Sequence, residues 1–230
     1  MLASASLAKL AIVIPTLNEE SALRANLPAA LSAGDEVVVS DGGSADATAA
    51  VASELGARVV TGPAGRGGQL NRGAAATAAE LLLFLHADTA LPAGGEQAIR
   101  AAIAGGAQGG AFLVRFDSAH PALRLGARLI NLRTRASRLP LGDQAQFVTR
   151  RAFDDLGGFR DWPILEDLDF AWRLRRRGRI AIIATPVTTG ARRFLEQGIA
   201  RTVATNWLIW FLFVLGVSPQ RLAGLYKQIR

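Results

Sequence analysis

The most constraining feature of the sequence is an alternation, in its first half, of short apolar runs with alanine-rich helical stretches. Strands that alternate with helices pair in parallel, and buried parallel strands are continuously apolar. The pattern therefore predicts an α/β fold with a mostly parallel sheet. The predicted strands cover residues 9–15, 36–40, 58–61 and 81–85, and the predicted helices cover residues 18–32, 46–55 and 69–79.

The second half is less regular but shows neither an internal repeat nor a low-complexity linker. A chain of 230 residues without such a boundary is predicted to form a single domain. The predicted strands here are 109–116, 144–149 and 180–184, and the predicted helices are 121–137, 164–177 and a tail from about 195 that breaks near 216–219.

The charge distribution favours a polyanionic partner. The net charge is +7, but residues 1–114 carry 6 basic and 10 acidic side chains, and residues 115–230 carry 20 and 9. A basic half of this kind suits nucleic acid, an anionic membrane surface or a phosphorylated small molecule. The chain has no cysteine, which excludes disulfides, thiolate metal sites and cysteine nucleophiles.

The longest apolar run, residues 207–215, has nine residues, whereas a membrane-spanning helix needs about 20. The run is therefore predicted to be core, a homodimer contact or a peripheral membrane contact, with a buried or oligomeric role slightly favoured. Residues 1–8 lack the pattern of a secretory signal, so a cytoplasmic protein is expected, with contact to the inner membrane face left open.

Polar clusters follow all four strands of the first half. The carboxyl ends of parallel strands share one edge of a sheet, and ligands of such sheets bind beyond that edge. The sequence therefore predicts one composite site there. The clusters are residues 15–20 (PTLNEE), 40–46 (SDGGSAD), 65–73 (GRGGQLNRG) and 86–88 (HAD).

Each cluster also has a structural interpretation. Asn18 and Asp46 suit helix N-caps as well as a site. The loop glycines make turns, but they also allow a backbone and Arg66 to approach a phosphate closely. Asp41, at a strand end, favours hydrogen bonds from a base or ribose, and Asp88 suits a hard cation that bridges to a diphosphate.

A further acidic cluster, Glu166 to Asp169, stands at the start of a predicted helix. Acidic residues there complement the helix dipole. A carboxylate at a helix entrance can also take a proton from an acceptor hydroxyl, and Asp167 is the favoured candidate. The tripeptide 142–144 (GDQ) is left open between a turn and an acceptor contact.

The order of these motifs resembles family 2 glycosyltransferases of the GT-A fold, over about residues 9–178. The forms L-H-A-D-T, G-D-Q and A-R-R-F look most like a bacterial subgroup, the radical-SAM/selenodomain-associated transferases. The resemblance implies a Rossmann-like, mixed and mostly parallel sheet flanked by helices. It divides the domain into a nucleotide-sugar-binding half (1–114), an acceptor and catalytic half (115–194) and an apolar helical tail (195–230).

The resemblance also implies a role for each motif residue. Asp167 matches the general base of an inverting transfer, and Asp88, with His86, matches the motif that holds Mg²⁺ or Mn²⁺ on the diphosphate. Asp41 matches the position that binds the base, often uracil. The other implied substrate-binding residues are Pro15, Thr16, Asn18, Glu19, Arg66, Asn71, Ala87, Asp143, Gln144, Glu166, Arg192 and Arg193.

Two departures from the family pattern refine the expected reaction. His86 occupies the first carboxylate position of the D-x-D motif, where an imidazole suits a softer divalent ion or a contact to the donor sugar or ribose. Gly190 stands where processive synthases carry the Gln of Q-x-x-R-W, so processive synthesis is not expected, although Arg192 or Arg193 can still reach the diphosphate. The expected reaction is non-processive transfer from a nucleotide-sugar, with a UDP-sugar favoured, to an unknown acceptor.

Two other functions compete with this one. A nucleotidyltransferase shares a similar fold, but it usually has a glycine-rich basic loop after its first strand, where this chain has Thr16 to Glu19. A non-catalytic module that binds nucleotide-sugars or nucleic acid is the other alternative. No aromatic-basic interleaving or helix-turn-helix pattern supports nucleic acid, so a nucleic-acid partner is not expected.

Overall fold

The computed structural model describes residues 8–229, and within that range it describes residue 193 and residues 227–229 by their backbone alone. One mixed sheet of eight strands, in the order β3-β2-β1-β4-β7-β6-β8-β5, forms the centre of the fold. The strands are β1 (Leu10–Thr16), β2 (Glu36–Asp41), β3 (Arg58–Thr61), β4 (Leu81–Phe84), β5 (Thr89–Ala90), β6 (Gly109–Phe116), β7 (Gln146–Thr149) and β8 (Ile180–Thr189).

Ten α-helices surround this sheet within the described part of the chain, and a 3₁₀ turn, Gly142–Gln144, precedes β7. The helices are α1 (Glu20–Ala33), α2 (Thr48–Glu54), α3 (Arg66–Ala75), α4 (Gly95–Ala104), α5 (Pro121–Ser137), α6 (Arg150–Asp155), α7 (Glu166–Arg177), α8 (Arg192–Gln197), α9 (Ile199–Val214) and α10 (Pro219–Ile229).

Strand pairing confirms the predicted sheet edge. β1 runs parallel to both β2 and β4, and β2 runs parallel to β3. The register pairs Thr16 with Asp41 and Asp41 with Thr61, so the polar clusters after these strands begin side by side. The mixed character enters at β7, which is antiparallel to β4 and β6.

Helices cover both faces of the sheet because alternate residues of β1 point to opposite sides. Leu10, Ile12 and Ile14 pack in one core with residues of α1, α2 and α4. Ala11 and Val13 pack in the other core with residues of α3, α6 and α7. The second core contains four mutually packed rings, with centroids 4.4 to 6.4 Å apart: Phe84, Phe153, Phe159 and Phe170.

Several boundaries differ from the sequence prediction. α3 begins at Arg66, so Gly67 and Gly68 lie in its first turn and not in the predicted loop. Gly67 packs against the main chain of Arg160, and this close approach explains how a glycine-rich segment sits in a helix. β8 continues to Thr189 because its second half pairs with β6 beyond a register shift. The elements β5, α4 and α6 were not predicted from the sequence.

The apolar run at 207–215 covers the last turns of α9 and its C-cap residue, and it is divided between two environments. Ile209 is buried, and Trp210 packs against a small core around Leu168. Trp207, Leu208, Phe211, Val214 and Leu215 are exposed. None of the helices between residues 8 and 229 is both long and apolar enough to cross a membrane.

Candidate active site

Asp41 lies at the carboxyl end of β2, with its carboxylate turned onto the loop that follows. Its Oδ2 accepts hydrogen bonds from the N–H groups of Gly43 and Ser44, both at 2.9 Å. Its Oδ1 accepts from the hydroxyls of Thr16, at 3.3 Å, and Ser44. Burial disfavours the charged carboxylate, but these donors outweigh it and lower the pKa of Asp41. Asp41, which is predicted to bind the base, is therefore an anion that holds the loop after β2 through hydrogen bonds.

Asn18 joins the loops after β1 and β2. Its side-chain Oδ1 accepts from the N–H of Ala45 at 2.8 Å, and its own N–H donates to the hydroxyl of Ser44 at 2.9 Å. Glu19 occupies the N-cap position of α1, and Ala47 that of α2. Neither Asn18 nor Asp46 is therefore an N-cap residue, although Asp46 accepts from the N–H of Thr48 at 3.0 Å.

Gln69, which the sequence did not single out, holds the sheet edge together. Its amide nitrogen donates to the carbonyl of Thr16 at 2.7 Å and to the carbonyl of Ser40 at 2.9 Å. Its Oε1 accepts from the N–H of Gly65 at 3.2 Å. One buried side chain thus fixes the ends of β1 and β2 and the start of α3. Its position inside the G-x-G-G-Q segment was the only signal in the sequence.

Arg66, Glu166 and Asp167 form the charged centre of the site. The guanidinium of Arg66, at the start of α3, contacts Glu166 through Nε and Asp167 Oδ2 through Nη2, the latter at 3.4 Å. Burial alone would lower the pKa of Arg66, but Asp167 and Glu166 raise it above its ordinary value. The two carboxylates come from the first turn of α7, about 100 residues further along the chain.

Glu166 is almost fully buried, and this burial is the main cause of a raised pKa. Arg66 opposes the rise, and the neighbouring charge of Asp167 adds to it. Glu166 therefore depends on the guanidinium for its charged state. It is suited to holding Arg66 in place, whereas Asp167 faces a cavity.

Asp167 is held by three donors. Its Oδ2 accepts from the N–H of Gly142 at 2.6 Å and from Arg66, and its Oδ1 accepts from the N–H of Leu168 at 2.7 Å. A Cβ atom at Gly142 would lie 3.0 Å from both Asp167 Oδ2 and His86 Nε2. The 3₁₀ turn therefore packs closely against the candidate base and against the histidine of the H-A-D motif.

Asp88 lines the same cavity as Asp167. A Cβ at Gly190 would come within 2.9 Å of Asp88 Oδ2, so a small residue is required there. Glu19 is nearby: burial and then repulsion by Asp88 raise its pKa, while Arg192, 3.7 Å from its Oε2, lowers it. Two carboxylates that repel each other at a cavity wall suit a divalent cation.

The donor set fits such a cation only in part. Among the described residues, no three His, Cys, Asp or Glu side chains are grouped so as to hold a metal by themselves. Mg²⁺ commonly takes one or two carboxylates together with substrate phosphates and waters. Asp88, with Glu19 beside it, fits that mode of binding. His86 lines the cavity but stands next to Asp167 across Gly142.

The cavity has a volume of about 420 Å³ and connects both halves of the domain with the tail. The predicted site residues that line it are Glu19, Arg66, His86, Asp88, Asp143, Asp167 and Arg192. The tail contributes Asn206, Ile209, Trp210 and Tyr226, which the sequence did not suggest.

Other predicted site residues serve the framework. The amide of Asn71 donates to the carbonyl of Phe159 at 2.8 Å and accepts from the N–H of the same residue at 2.9 Å. Gln144 is fully buried and donates to the carbonyl of Phe112 at 3.1 Å. The carbonyl of Ala87 accepts from Asn26 at 3.0 Å. These three residues do not line the 420 Å³ cavity. Arg193 was also predicted as a site residue, but its side chain is not among those that the structure describes.

Pro15, Thr16, Asn18, Asp41 and Glu166 also stand off this cavity. The first four lie at or just after the ends of β1 and β2, and Glu166 lies behind Arg66.

Arg133, on α5, is a further charged residue that the sequence did not suggest. Burial lowers its pKa, whereas Asp143 and Asp167 oppose the shift, so its guanidinium adds positive charge behind the site.

Strained backbone marks the entrance to α7. Leu165 has φ +65°, a left-handed conformation that is unfavourable for a bulky residue, and it lines the cavity directly before Glu166. Ala145, after the 3₁₀ turn, has φ +48°. Both segments that present groups to Asp167 therefore contain a residue in a costly conformation.

Comparison with known proteins decides the family. Residues 11–153, more than half of the chain, match the sequence model described as glycosyl transferase family 2. The chain belongs to this family. An uncharacterized glycosyltransferase of Mycobacterium tuberculosis (strain H37Rv) and one of Mycobacterium bovis are each 40% identical over 84 residues. These matches span 36% of this chain and 38% of the length of the relatives.

Solved structures show the same fold. A mannosyltransferase of Pyrobaculum calidifontis in complex with GDP-Man and Mn²⁺ has a TM-score of 0.66 at 18% identity, over 97% of this chain and 69% of its own. S. aureus TarS, residues 1–349, has a TM-score of 0.64 at 17% identity over 85% of this chain and 64% of its own. Glucosyl-3-phosphoglycerate synthase of M. tuberculosis with Mg²⁺ and UDP has a TM-score of 0.59 at 22% identity, over 80% and 70%. The expected GT-A fold is confirmed.

Proposed function

We propose that this family 2 glycosyltransferase moves a sugar from a nucleotide-sugar to an acceptor with inversion at the anomeric carbon. The observation that carries the proposal is the shared cavity: Asp167 and Asp88 line one space of about 420 Å³, with Arg66 and Arg192 also on its walls. A carboxylate for the acceptor proton and positive charge for a departing diphosphate are what such a transfer needs.

In the proposed step, the oxygen of an acceptor hydroxyl forms a bond to the anomeric carbon while the bond from that carbon to the diphosphate breaks. Asp167 takes the hydroxyl proton, and the electron pair leaves with the diphosphate. Gly142 and Leu168 hold the carboxylate through their N–H groups, so its orientation is set before substrate binds. Glu166 keeps Arg66 beside it.

Asp88, with Glu19 beside it, would hold Mg²⁺ or Mn²⁺, and the ion would neutralise charge on the diphosphate. Three structural relatives support a nucleotide-sugar donor, and two of them a divalent metal: one is in complex with GDP-Man and Mn²⁺, another with UDP and Mg²⁺, and TarS with UDP-GlcNAc. We favour a UDP-sugar because the resemblance places Asp41 at the base. Asp41 is an anion at the carboxyl end of β2, where such a contact is expected.

Three finer assignments belong to the same proposal. The enzyme is non-processive, because Gly190 replaces the glutamine of the processive motif. It belongs to the radical-SAM/selenodomain-associated subgroup, on the forms L-H-A-D-T, G-D-Q and A-R-R-F. Its location is cytoplasmic, where a nucleotide-sugar donor would be met. The acceptor is unidentified.

The test is a screen of donor hydrolysis across UDP-sugars and GDP-sugars, with and without Mn²⁺, combined with thermal-shift measurement of donor binding. Asp167→Asn should retain donor binding and lower turnover at least 100-fold, within the range that a general base contributes. Asp88→Ala should lose the Mn²⁺-dependent thermal shift. Asp155→Asn, at an exposed ion pair on α6, is the control.

Full turnover by Asp167→Asn would refute the assignment of the base. An unchanged Mn²⁺-dependent shift in Asp88→Ala would remove that residue from the metal site. A wild-type protein that binds a nucleotide-sugar but neither hydrolyses nor transfers it would indicate a binding module.

A further inference from the structure

Helix α5 presents leucines to solvent at the positions opposite its packed face. Leu123, Ala127 and Thr134 are buried against the domain. Leu125, Leu129 and Leu132 are exposed by 56%, 44% and 66%. Their spacing of four and three residues places them in one stripe. In a surface helix of a soluble domain the outward face is polar, whereas the outward face of α5 carries leucines.

Arginines border the leucine stripe. Arg124, Arg128 and Arg135 are all exposed, and their spacing places them together on the adjacent side of α5. The helix carries four arginines and no acidic residue. An apolar stripe with a basic border is typical of helices that lie in the interface of an anionic bilayer.

A second cavity lies next to this border. It has a volume of about 640 Å³, is formed between α5 and the strands β6 and β8, and is lined by Arg115, Arg124 and Arg128. Arg115 donates through Nε to the hydroxyl of Thr188 at 2.7 Å. Asp117 also lines the cavity, but its Oδ1 accepts from the N–H of Ala191 at 2.7 Å. Three guanidinium groups at one concave surface suit a phosphate group.

We propose that α5 docks this protein on an anionic membrane surface, with its leucine stripe among the acyl chains and its arginines on lipid phosphates. The inference does not depend on the proposed transfer reaction, since it rests on α5 and on a different cavity.

Charge favours a bilayer over a second copy of this chain. A two-fold dimer through α5 would place the same surface on both sides of the interface. Arg124, Arg128 and Arg135 would then face their own copies with no carboxylate on either helix. A bilayer rich in anionic lipid supplies the missing negative charge.

Helix α9, which packs against α5, also exposes apolar side chains. Its exposed side chains include Trp207, Leu208 and Phe211, and tryptophan is enriched at the boundary between lipid and water. Phe116 lines both the 640 Å³ cavity and the candidate active-site cavity. Docking through α5 would therefore hold the active site close to the membrane surface.

The experiment is vesicle flotation with two kinds of liposome, pure phosphatidylcholine and phosphatidylcholine mixed with phosphatidylglycerol. The test variants are a triple Leu→Gln at 125, 129 and 132, and a triple Arg→Gln at 124, 128 and 135. The controls are a triple Arg→Gln at the exposed positions 24, 151 and 176, which has the same net charge, and Leu55→Gln at the exposed C-cap of α2. Circular dichroism checks that each variant is folded.

We expect wild type to float with the anionic vesicles and not with the neutral ones. Each arginine removed from α5 should weaken binding about fivefold, from the usual contribution of a basic residue near an anionic surface. The leucine variant should lose binding at least tenfold, and the controls should keep it. High salt should weaken binding by the wild type.

Three results would overturn the proposal. The first is wild type that does not float with anionic vesicles. The second is equal loss of binding in the α5 arginine variant and in its charge-matched control, which would indicate attraction by net charge alone. The third is a dimer by light scattering that the leucine variant converts to a monomer, which would make the stripe a contact between two copies.

Discussion

Replacing Arg66 by Met tests whether its guanidinium stabilises the protein by neutralising Glu166 and Asp167. The substitution keeps most of the apolar stem and removes the guanidinium from between Glu166 and Asp167. The side chain of Glu166 is 1% exposed and that of Asp167 is 9% exposed, so the two carboxylates would share a buried space without the guanidinium that contacts both. Such a space penalises the ionised forms of both groups.

The expected cost follows from this burial. Removing one partner of a buried ion pair costs about 3–5 kcal/mol of unfolding free energy. The side chain of Arg66 is 41% exposed, so water already screens part of the interaction and we expect about 2–3 kcal/mol at pH 8. An exposed pair such as Arg24 with Glu20 is worth less than about 1 kcal/mol, so Arg24→Met is the control.

The cost should also depend on pH. The pKa of Glu166 is already raised by burial, and loss of Arg66 removes the charge that opposes the rise. A carboxyl whose folded pKa exceeds its unfolded value binds more protons when folded, so its contribution to stability falls as pH rises through that window. The deficit of Arg66→Met should therefore be smaller near pH 5 than at pH 8.

The assay is urea unfolding of wild type, Arg66→Met, Arg24→Met and the double variant Arg66→Met/Glu166→Gln at both pH values. The double variant should recover part of the deficit, because it removes the unpaired buried charge. A deficit at pH 8 no larger than that of Arg24→Met, or a deficit independent of pH, would show that Arg66 does not neutralise these carboxylates.

Three further predictions concern other parts of the fold. Asp41→Asn should destabilise the protein at neutral pH and make little difference at pH 2–3. The pKa of Asp41 is lowered below its ordinary value of 3.8, so the stability from its ionised form is present above pH 3.8 and is lost as pH falls through the folded pKa. Equal deficits in urea unfolding at both pH values would contradict this. Phe170→Ala, in the four-ring cluster, should lower the free energy of unfolding in urea by about 3–5 kcal/mol. The control Phe211→Ala, at an exposed residue, should lower it by less than about 0.5 kcal/mol. Similar losses in the two variants would argue against that packing. Gly142→Ala should lower donor turnover at least tenfold with donor binding retained. The new Cβ would lie 3.0 Å from Asp167 Oδ2 and from His86 Nε2, which would shift the candidate base. Unchanged turnover would show that this turn does not position the base.

The sheet edge could be predicted from the sequence because two general rules determine it. Continuous apolar runs between helices specify buried parallel strands, and parallel strands end at one edge. The structure adds the register, which pairs Thr16 with Asp41 in neighbouring strands. Asp167 and Asp88 could likewise be assigned to one site from motif order, and both line the same cavity.

The partners of individual polar side chains could not be predicted in the same way. Asn71 and Gln144 have side chains suited to a ligand, but each is bonded to the main chain of another segment, Phe159 and Phe112 respectively. Gln69 bridges two strand ends by the same chemistry. A sequence shows which donors and acceptors exist, while the packing of distant segments decides which of them meet.

The orientation of α5 was also beyond the sequence. The helix was predicted with its observed bounds, but leucines occur on both its packed and its exposed faces. Hydrophobic periodicity shows that a helix has an apolar face; it does not show which of two apolar faces meets the sheet. Only the tertiary contacts of Leu123 and Ala127 assign Leu125, Leu129 and Leu132 to the outside.

The basic second half can now be divided by function, and the division argues against a nucleic-acid interpretation of net charge. Arg150 donates to the carbonyls of Ala74, Thr77 and Ala79, and Arg173 donates to those of Leu156 and Gly158. These guanidinium groups tie loops and helix ends to the domain, so they add to the formal charge without offering a binding surface. The arginines of α5 differ, since they are exposed on a helix that has no carboxylate. A stripe of leucines beside them suits lipid and offers no contact to a nucleic-acid backbone, which is why we proposed a membrane and not nucleic acid as the partner of this surface.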